Sequence, residues 1–200
     1  MIKITLPDGT VKEFEAGIRP IDIAKGISEG LARNIVAAKI NDATKEIDTP
    51  IIEDASLTLL TWNEKEGKKA FWHSSAHVLA QTLEFFYPNV KLTIGPAIDN
   101  GFYYDVDLGD EIISEKDFAK IEQKFLEFAR EKSEFSMREV SKADALELYK
   151  SQNNEFKVEL IENLVDGDIT FCDHANFTDL CRGGHIPNTG LIKAVKIMSV

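Results

Sequence analysis

Residues 1–14 leave the chain little choice of fold. Ile2-Lys3-Ile4-Thr5-Leu6 alternates apolar and polar side chains, Pro7-Asp8-Gly9 is a turn sequence, and Val11-Lys12-Glu13-Phe14 alternates again. Two alternating runs around such a turn predict a β-hairpin with one face to be covered. A cover follows in the chain. Pro20 opens a helical pattern through Ile21, Ile23, Ala24 and Ile27, with Gly30 placed as its breaker. Residues 35–40 read as a strand, Asn41-Asp42 as a turn and residues 56–60 as a closing strand.

A hairpin, a helix and further strands within residues 1–62 describe a small β-grasp, ubiquitin-like unit. It holds no His and no Cys, and its acidic residues are scattered, so nothing in it points to catalysis. Residues 63–69 are polar, contain Gly67 and read as a linker. The expected class is α+β, with a β-grasp domain over 1–62 and a larger α+β domain over 63–200.

In the second part a long helix is expected over 70–86, stopped by Pro88, then strands over 91–98 and 102–106 joined through Asp99-Asn100-Gly101. Ser114 with Asp117 makes a capping-box-like start to a helix whose Phe118, Ile121, Phe125 and Phe128 repeat at helical spacing as core positions. A strand over 134–140, helices over 142–149 and 154–164, and a strand over 169–172 follow. Cys172, flanked by apolar residues, reads as a core thiol, while His174 falls in a polar turn with no assigned role. Residues 191–200 alternate apolar residues with lysine and read as a strand interrupted by the end of the sequence, as expected of a piece of a longer protein.

The chemistry lies in two pairs. His73 and His77 sit four residues apart in Phe71-Trp72-His73-Ser74-Ser75-Ala76-His77, so a helix puts both imidazoles on one face. Cys181 and His185 have the same spacing in Cys181-Arg182-Gly183-Gly184-His185, where paired glycines suit a backbone that closely approaches a ligand. Together the four side chains can hold a metal or work on a carbonyl. Spacing alone equally allows a capped or half-buried pair of helix histidines.

Charge narrows the partners. The formal net charge of -11 is spread over both parts, with 7 basic and 10 acidic residues up to Trp62 and 16 and 24 beyond it. Neither part grips nucleic acid by its bulk field, so RNA contacts are expected to be local. No apolar run is long enough to span a bilayer, the N-terminus lacks a signal-peptide core, and two cysteines make no disulfide framework. The expected setting is the cytoplasm, with no membrane partner.

Three blocks in order, HSSAH (73–77), IGPAIDNGFYYDVD (94–107) and DLCRGGH (179–185), resemble the N-terminal region of bacterial threonyl-tRNA synthetases over the whole chain. Residues 1–62 resemble the family's TGS domain, and 63–200 its second additional domain, which edits mischarged tRNA. One departure is Gly184, where the family commonly has proline; a glycine there is expected to loosen the loop.

The resemblance implies an editing pocket in which His73, His77, Lys157, Cys181 and His185 are catalytic and Tyr104 and Asp179 bind substrate. Asp179 is expected to take the substrate's α-ammonium, Lys157 to position water or stabilise an oxyanion, and Tyr104 to fix the ribose or the aminoacyl group. Seryl-tRNA(Thr) is the implied substrate. Serine lacks one methyl of threonine, a difference of only ~1–3 kcal/mol, so a second hydrolytic sieve is needed. No metal is implied as a requirement, although His73, His77, Cys181 and His185 would be the ligands if a zinc were bound, as in alanyl-type relatives. The parent enzyme is expected to hold ATP with Mg and a zinc in a later catalytic domain. Its expected partners are the acceptor end of tRNA(Thr), the catalytic and anticodon-binding domains of the same chain, and a second copy in a homodimer. The competing readings are a non-catalytic RNA- or partner-binding module and a zinc-dependent alanyl-type editing domain.

Overall fold

The computed structural model describes residues 1–200 and divides into two compact units, Met1–Phe71 with Gly183–Pro187, and Trp72–Arg182 with Asn188–Val200. The first is built on a five-stranded mixed sheet. Strands β1 (Ile2–Thr5) and β2 (Val11–Phe14) form the expected antiparallel hairpin, with Ile4 opposite Lys12. Helix α1 (Pro20–Ile27) begins with proline in its first turn. It does not end at Gly30. Ser28 stops it and caps a second helix, α2 (Glu29–Asn34), by accepting the Leu31 N–H at 3.0 Å, so Gly30 lies inside a helix.

Strands β3 (Ile35–Ile40), β4 (Ala43–Lys45) and β5 (Ala55–Thr61) complete the sheet in the order β2-β1-β5-β3-β4. The β1–β5 pair is parallel and the rest are antiparallel, which together with the covering helix is the β-grasp arrangement. Ile2, Ile4, Ile23, Ala38, Ile51, Ala55 and Leu57 form the core. This is the apolar face that the hairpin alternation requires.

Helix α3 (Lys65–Phe86) starts five residues earlier than the polar composition of 63–69 suggested. Its Gly67 is a packing residue instead of a linker residue. A Cβ there would stand 1.9 Å from the Thr61 carbonyl oxygen, so only glycine lets this turn lie against the end of β5.

In the second unit the expected hairpin is split into two short antiparallel pairs. Strand β6 (Lys91–Leu92) pairs with β9 (Val106–Asp107), and β7 (Ala97–Ile98) with β8 (Gly101–Phe102). Helix α4 (Glu115–Arg130) carries the capping box read from Ser114 and Asp117 and buries Ile121 and Phe125. The Lys120 ammonium and the Ser114 bonds pull the Asp117 carboxyl down to about 2.

Strand β10 (Ser136–Glu139), helices α5 (Lys142–Ser151) and α6 (Glu155–Glu162), and strands β11 (Thr170–His174) and β12 (Phe177–Leu180) follow, with β10-β11-β12 an antiparallel sheet. Residues 192–200 form no strand. Their apolar–lysine alternation has no neighbouring strand to pair with; instead the Ile197 N–H donates to Glu122 at 2.8 Å and Lys196 pairs with the same carboxylate. No helix is long and apolar enough to cross a membrane.

Candidate functional site

Strand β12 sets the site. Along it Phe177, Asp179 and, one residue past its end, Cys181 are buried, while Thr178 and Leu180 are half-buried. This is the period of two that places Asp179 and Cys181 on one side. Cys181 is held where the strand ends: its N–H donates to the Thr170 carbonyl at 3.0 Å, and its own carbonyl accepts from the Thr170 hydroxyl.

Helix α3 supplies the histidines. His73 and His77 lie on one face with ring centroids 4.8 Å apart. His73 Nε2 is 3.0 Å from Cys181 Sγ, and His77 Nδ1 is 3.6 Å from Asp179 Oδ2. The ligand-type atoms of His73, His77 and Cys181 lie within 4.8 Å of one another. In kind, two imidazoles and a thiol are zinc donors. Two ligands at tetrahedral zinc would stand about 3.6 Å apart, however, so the His73–Cys181 separation is that of a direct hydrogen bond.

Asp179 is the most heavily partnered carboxylate of the unit. Lys157 Nζ lies 2.6 Å from its Oδ1 and the Tyr104 hydroxyl donates to its Oδ2 at 2.5 Å. Oδ1 also accepts from the Leu180 N–H at 2.8 Å and from the Tyr149 hydroxyl at 3.4 Å. Lys157 is only 2% exposed and Asp179 3%. A buried ion pair of this kind persists because every lone pair finds a donor. Burial, then the Asp179 charge, pushes the Tyr104 and Tyr149 phenols well above the ordinary tyrosine range.

Local sequence explains why a lysine points inward. Asn154 caps α6 by accepting the Lys157 N–H at 3.1 Å, and its amide donates to the Leu92 carbonyl at 2.9 Å. The first turn of α6 is thereby fixed, and Lys157 is directed at β12. The Lys157 ammonium is paired with the Asp179 carboxylate. Asp179 thus already has a cationic partner of its own.

His185 belongs with the first unit, fully buried, with Nδ1 2.8 Å from Glu46 Oε1. The Gly183-Gly184 backbone closely approaches that same carboxylate. Burial pushes the Glu46 carboxyl up, but the His185 hydrogen bond and charge, with backbone donors, outweigh it and leave it lowered. His174 is not in a polar turn. It closes β11, 2% exposed, with its ring 4.9 Å from Phe135, 5.2 Å from Phe177 and 6.4 Å from His77. Cys172 is buried, as read.

Sequence reading missed Glu46 and Tyr149. Tyr149 sat within an apolar helical pattern, where its hydroxyl left no trace. Glu46 is one acid among many at the end of a short strand, and only its distant partner marks it.

Against known proteins, residues 2–61 match the TGS domain, and residues 169–200 match the threonyl and alanyl tRNA synthetase second additional domain. Over its full length the chain is 68% identical to a threonine–tRNA ligase of Flavobacterium psychrophilum, 65% to one of Flavobacterium johnsoniae and 54% to one of Cytophaga hutchinsonii. It spans 31% of the length of each of these relatives.

Proposed function

The chain belongs to the N-terminal region of the threonine–tRNA ligase family, and from that premise we propose that its second unit hydrolyses seryl-tRNA(Thr), the mischarged ester that a threonine-selecting ligase produces. The observation that carries this reading is the joining of the two motifs. The helix bearing His73 and His77 meets the segment bearing Asp179 and Cys181: His73 is at hydrogen-bond distance from Cys181, and His77 approaches the Asp179 carboxylate to 3.6 Å. A ligase site on threonine gains only ~1–3 kcal/mol from one methyl. A second site that admits serine and excludes the threonine methyl supplies the missing discrimination.

In the proposed reaction a water oxygen attacks the ester carbonyl carbon and the bond to the terminal ribose oxygen breaks. His73 takes the proton from water and returns it to the leaving ribose hydroxyl, giving serine and uncharged tRNA. Imidazoles titrate near neutrality, which suits a group that both accepts and donates. Cys181, in contact with His73, holds that ring in place. Asp179 orients His77, and its two oxygens are fixed by Lys157 and Tyr104. Lys157 thus acts through Asp179, and Tyr104 keeps the role the family resemblance implies, fixing the ribose or the aminoacyl moiety. His185 enters through the motif, four residues beyond Cys181. If zinc binds, His73, His77 and Cys181 would offer donors to it and it would polarise the ester; the steps above run without it.

The parent's ligation of threonine with ATP and Mg, a zinc in its later catalytic domain, contact with the tRNA(Thr) acceptor end, a homodimer and a cytoplasmic setting belong to the same proposal.

The test is single-turnover deacylation by the purified chain. Seryl-tRNA(Thr) is expected to be cleaved and threonyl-tRNA(Thr) spared, with His73→Ala slower by at least ~10²-fold. Equal treatment of both esters, or an unchanged rate in His73→Ala, overturns the reading. Stoichiometric zinc whose removal abolishes cleavage and whose return restores it would replace the metal-free route.

A further inference from the structure

Among the buried polar groups outside the histidine–aspartate network, Glu46 stands apart. It follows β4 in the first unit, is buried, and spends one oxygen on three donors from the Cys-x3-His motif. Oε1 accepts the Gly184 N–H at 2.9 Å and the His185 N–H at 3.1 Å, and lies 2.8 Å from His185 Nδ1. Its backbone is tied as well, through Thr49 N–H to the Glu46 carbonyl at 3.2 Å.

The glycines make this grip possible. Gly183 and Gly184 take φ of +92° and +86°, so successive N–H groups turn toward one carboxylate. A Cβ on Gly183 would stand 3.3 Å from Glu46 Oε1. A proline at 184 would have neither the φ nor the N–H. Where looseness was expected of Gly184, the glycine supplies a donor to a buried acceptor.

We propose that Glu46 is a positioning residue for His185: it fixes the ring and holds the proton on Nδ1, leaving the lone pair on Nε2. An ionised carboxylate can only accept, so a 2.8 Å contact requires a hydrogen on Nδ1. In a neutral imidazole the bond made by one nitrogen decides the state of the other. Nε2 is then the nitrogen that can take a proton or bind an electrophile. A residue of the TGS unit thereby sets the chemistry of a histidine in the editing motif. The catalytic consequence rests on the function proposed above; the tautomer does not.

Two measurements test it separately. The first is 15N NMR of the whole chain labelled at histidine, with His185 identified by the loss of its signals in His185→Gln. At slightly alkaline pH the wild-type ring is expected to carry its proton on Nδ1. Glu46→Gln, whose amide oxygen still accepts, should keep that tautomer, and Glu46→Ala should lose it. A wild-type ring protonated on Nε2 overturns the proposal, whatever the protein hydrolyses.

The second is single-turnover deacylation of seryl-tRNA(Thr). Glu46→Ala is expected to lower the rate about tenfold or more with substrate affinity little changed, and Glu46→Asp to recover part of it. An Nδ1–H tautomer with no rate loss in folded Glu46→Ala would reduce Glu46 to a structural clamp and overturn the positioning role. Should Glu46→Ala fail to fold, the wild-type spectrum and Glu46→Gln still decide the matter. If wild type cleaves neither ester, the editing reading fails while the tautomer result stands.

Discussion

The two units bury different things. The first closes a mixed sheet over Ile2, Ile4, Ile23, Leu57 and their neighbours, and its buried polar side chains are Glu46 and His185, joined by a hydrogen bond. The second buries Lys157 with Asp179, and His77, His174 and Asn154 as well. An apolar interior is stabilised by area removed from water, roughly additively. A polar interior is stabilised only while each member keeps its partner, since an orphaned charge costs more than the pair contributes. The difference teaches where function can be looked for. Buried polar side chains mark the second unit, and their counterpart in the β-grasp unit is the carboxylate that holds Gly184 and His185.

The strongest way to break this comparison is to remove one member of the buried pair. Lys157→Met leaves the Asp179 carboxylate buried without its cation and is expected to cost about 3–5 kcal/mol in denaturant unfolding. Leu57→Ala in the first unit leaves a cavity and is expected to cost about 2–5 kcal/mol. The magnitudes overlap, and rescue separates them. Adding Asp179→Asn to Lys157→Met should recover part of the loss, because the uncompensated charge goes with it. No second deletion near Leu57 should do likewise. A double variant as unstable as the sum of the singles would show that Lys157 and Asp179 are not coupled.

Apolar patterning made most of the first unit readable, although Gly30 lies inside α2 instead of ending a helix and β4 was not anticipated. The alternation at 2–6 and 11–14, Pro20 and the run at 35–40 all lie where their period puts them. Misreadings arose where a polar residue had a distant partner. Residues 65–69 looked like a linker because a helix turn packed closely on Thr61 needs glycine, the residue that also marks loops. Lys157 gave no sign of burial, for lysine is usually exposed and only the contact with Asp179 reverses that. Glu46 and His185 are 139 residues apart, and no local pattern joins them. Residues 192–200 erred the other way, since alternation permits a strand but pairing makes one.

A second test exploits the fact that all four tyrosines (Tyr87, Tyr103, Tyr104, Tyr149) fall in the second unit. Tyr104 and Tyr149 are held neutral first by burial and then by the Asp179 charge, with phenols raised well above ordinary values. A phenol raised in the fold contributes stability that is intact below its unfolded value near 10 and is lost as pH climbs toward the folded one. Above pH ~10 each therefore lowers stability by about 1.4 kcal/mol per pH unit, about 2.7 for the two. Ultraviolet absorbance of phenolate should show these two ionising only together with unfolding. Their smooth titration in a still-folded chain would mean that the network around Asp179 is open to water.

The smallest effects give the sharpest comparison, because the same local device occurs in each unit. Ser28 caps α2 from an exposed position, accepting one N–H. Ser28→Ala should cost about 1 kcal/mol, the ordinary value of a cap. Asn154 caps α6 while 4% exposed, and its amide also satisfies the Leu92 carbonyl. Asn154→Ala should lose the cap and leave that carbonyl unsatisfied, about 2 kcal/mol in all. Asn154→Ser separates the two contributions, since a serine keeps the cap and cannot reach Leu92; it should fall midway between wild type and alanine. Since α6 aims Lys157 at Asp179, the Asn154 variants should also slow seryl-tRNA deacylation, whereas Ser28→Ala should not. Equal losses at the two caps, in stability and in rate, would mean that burial gives polar groups of the second unit no weight beyond what the same groups carry on an exposed helix.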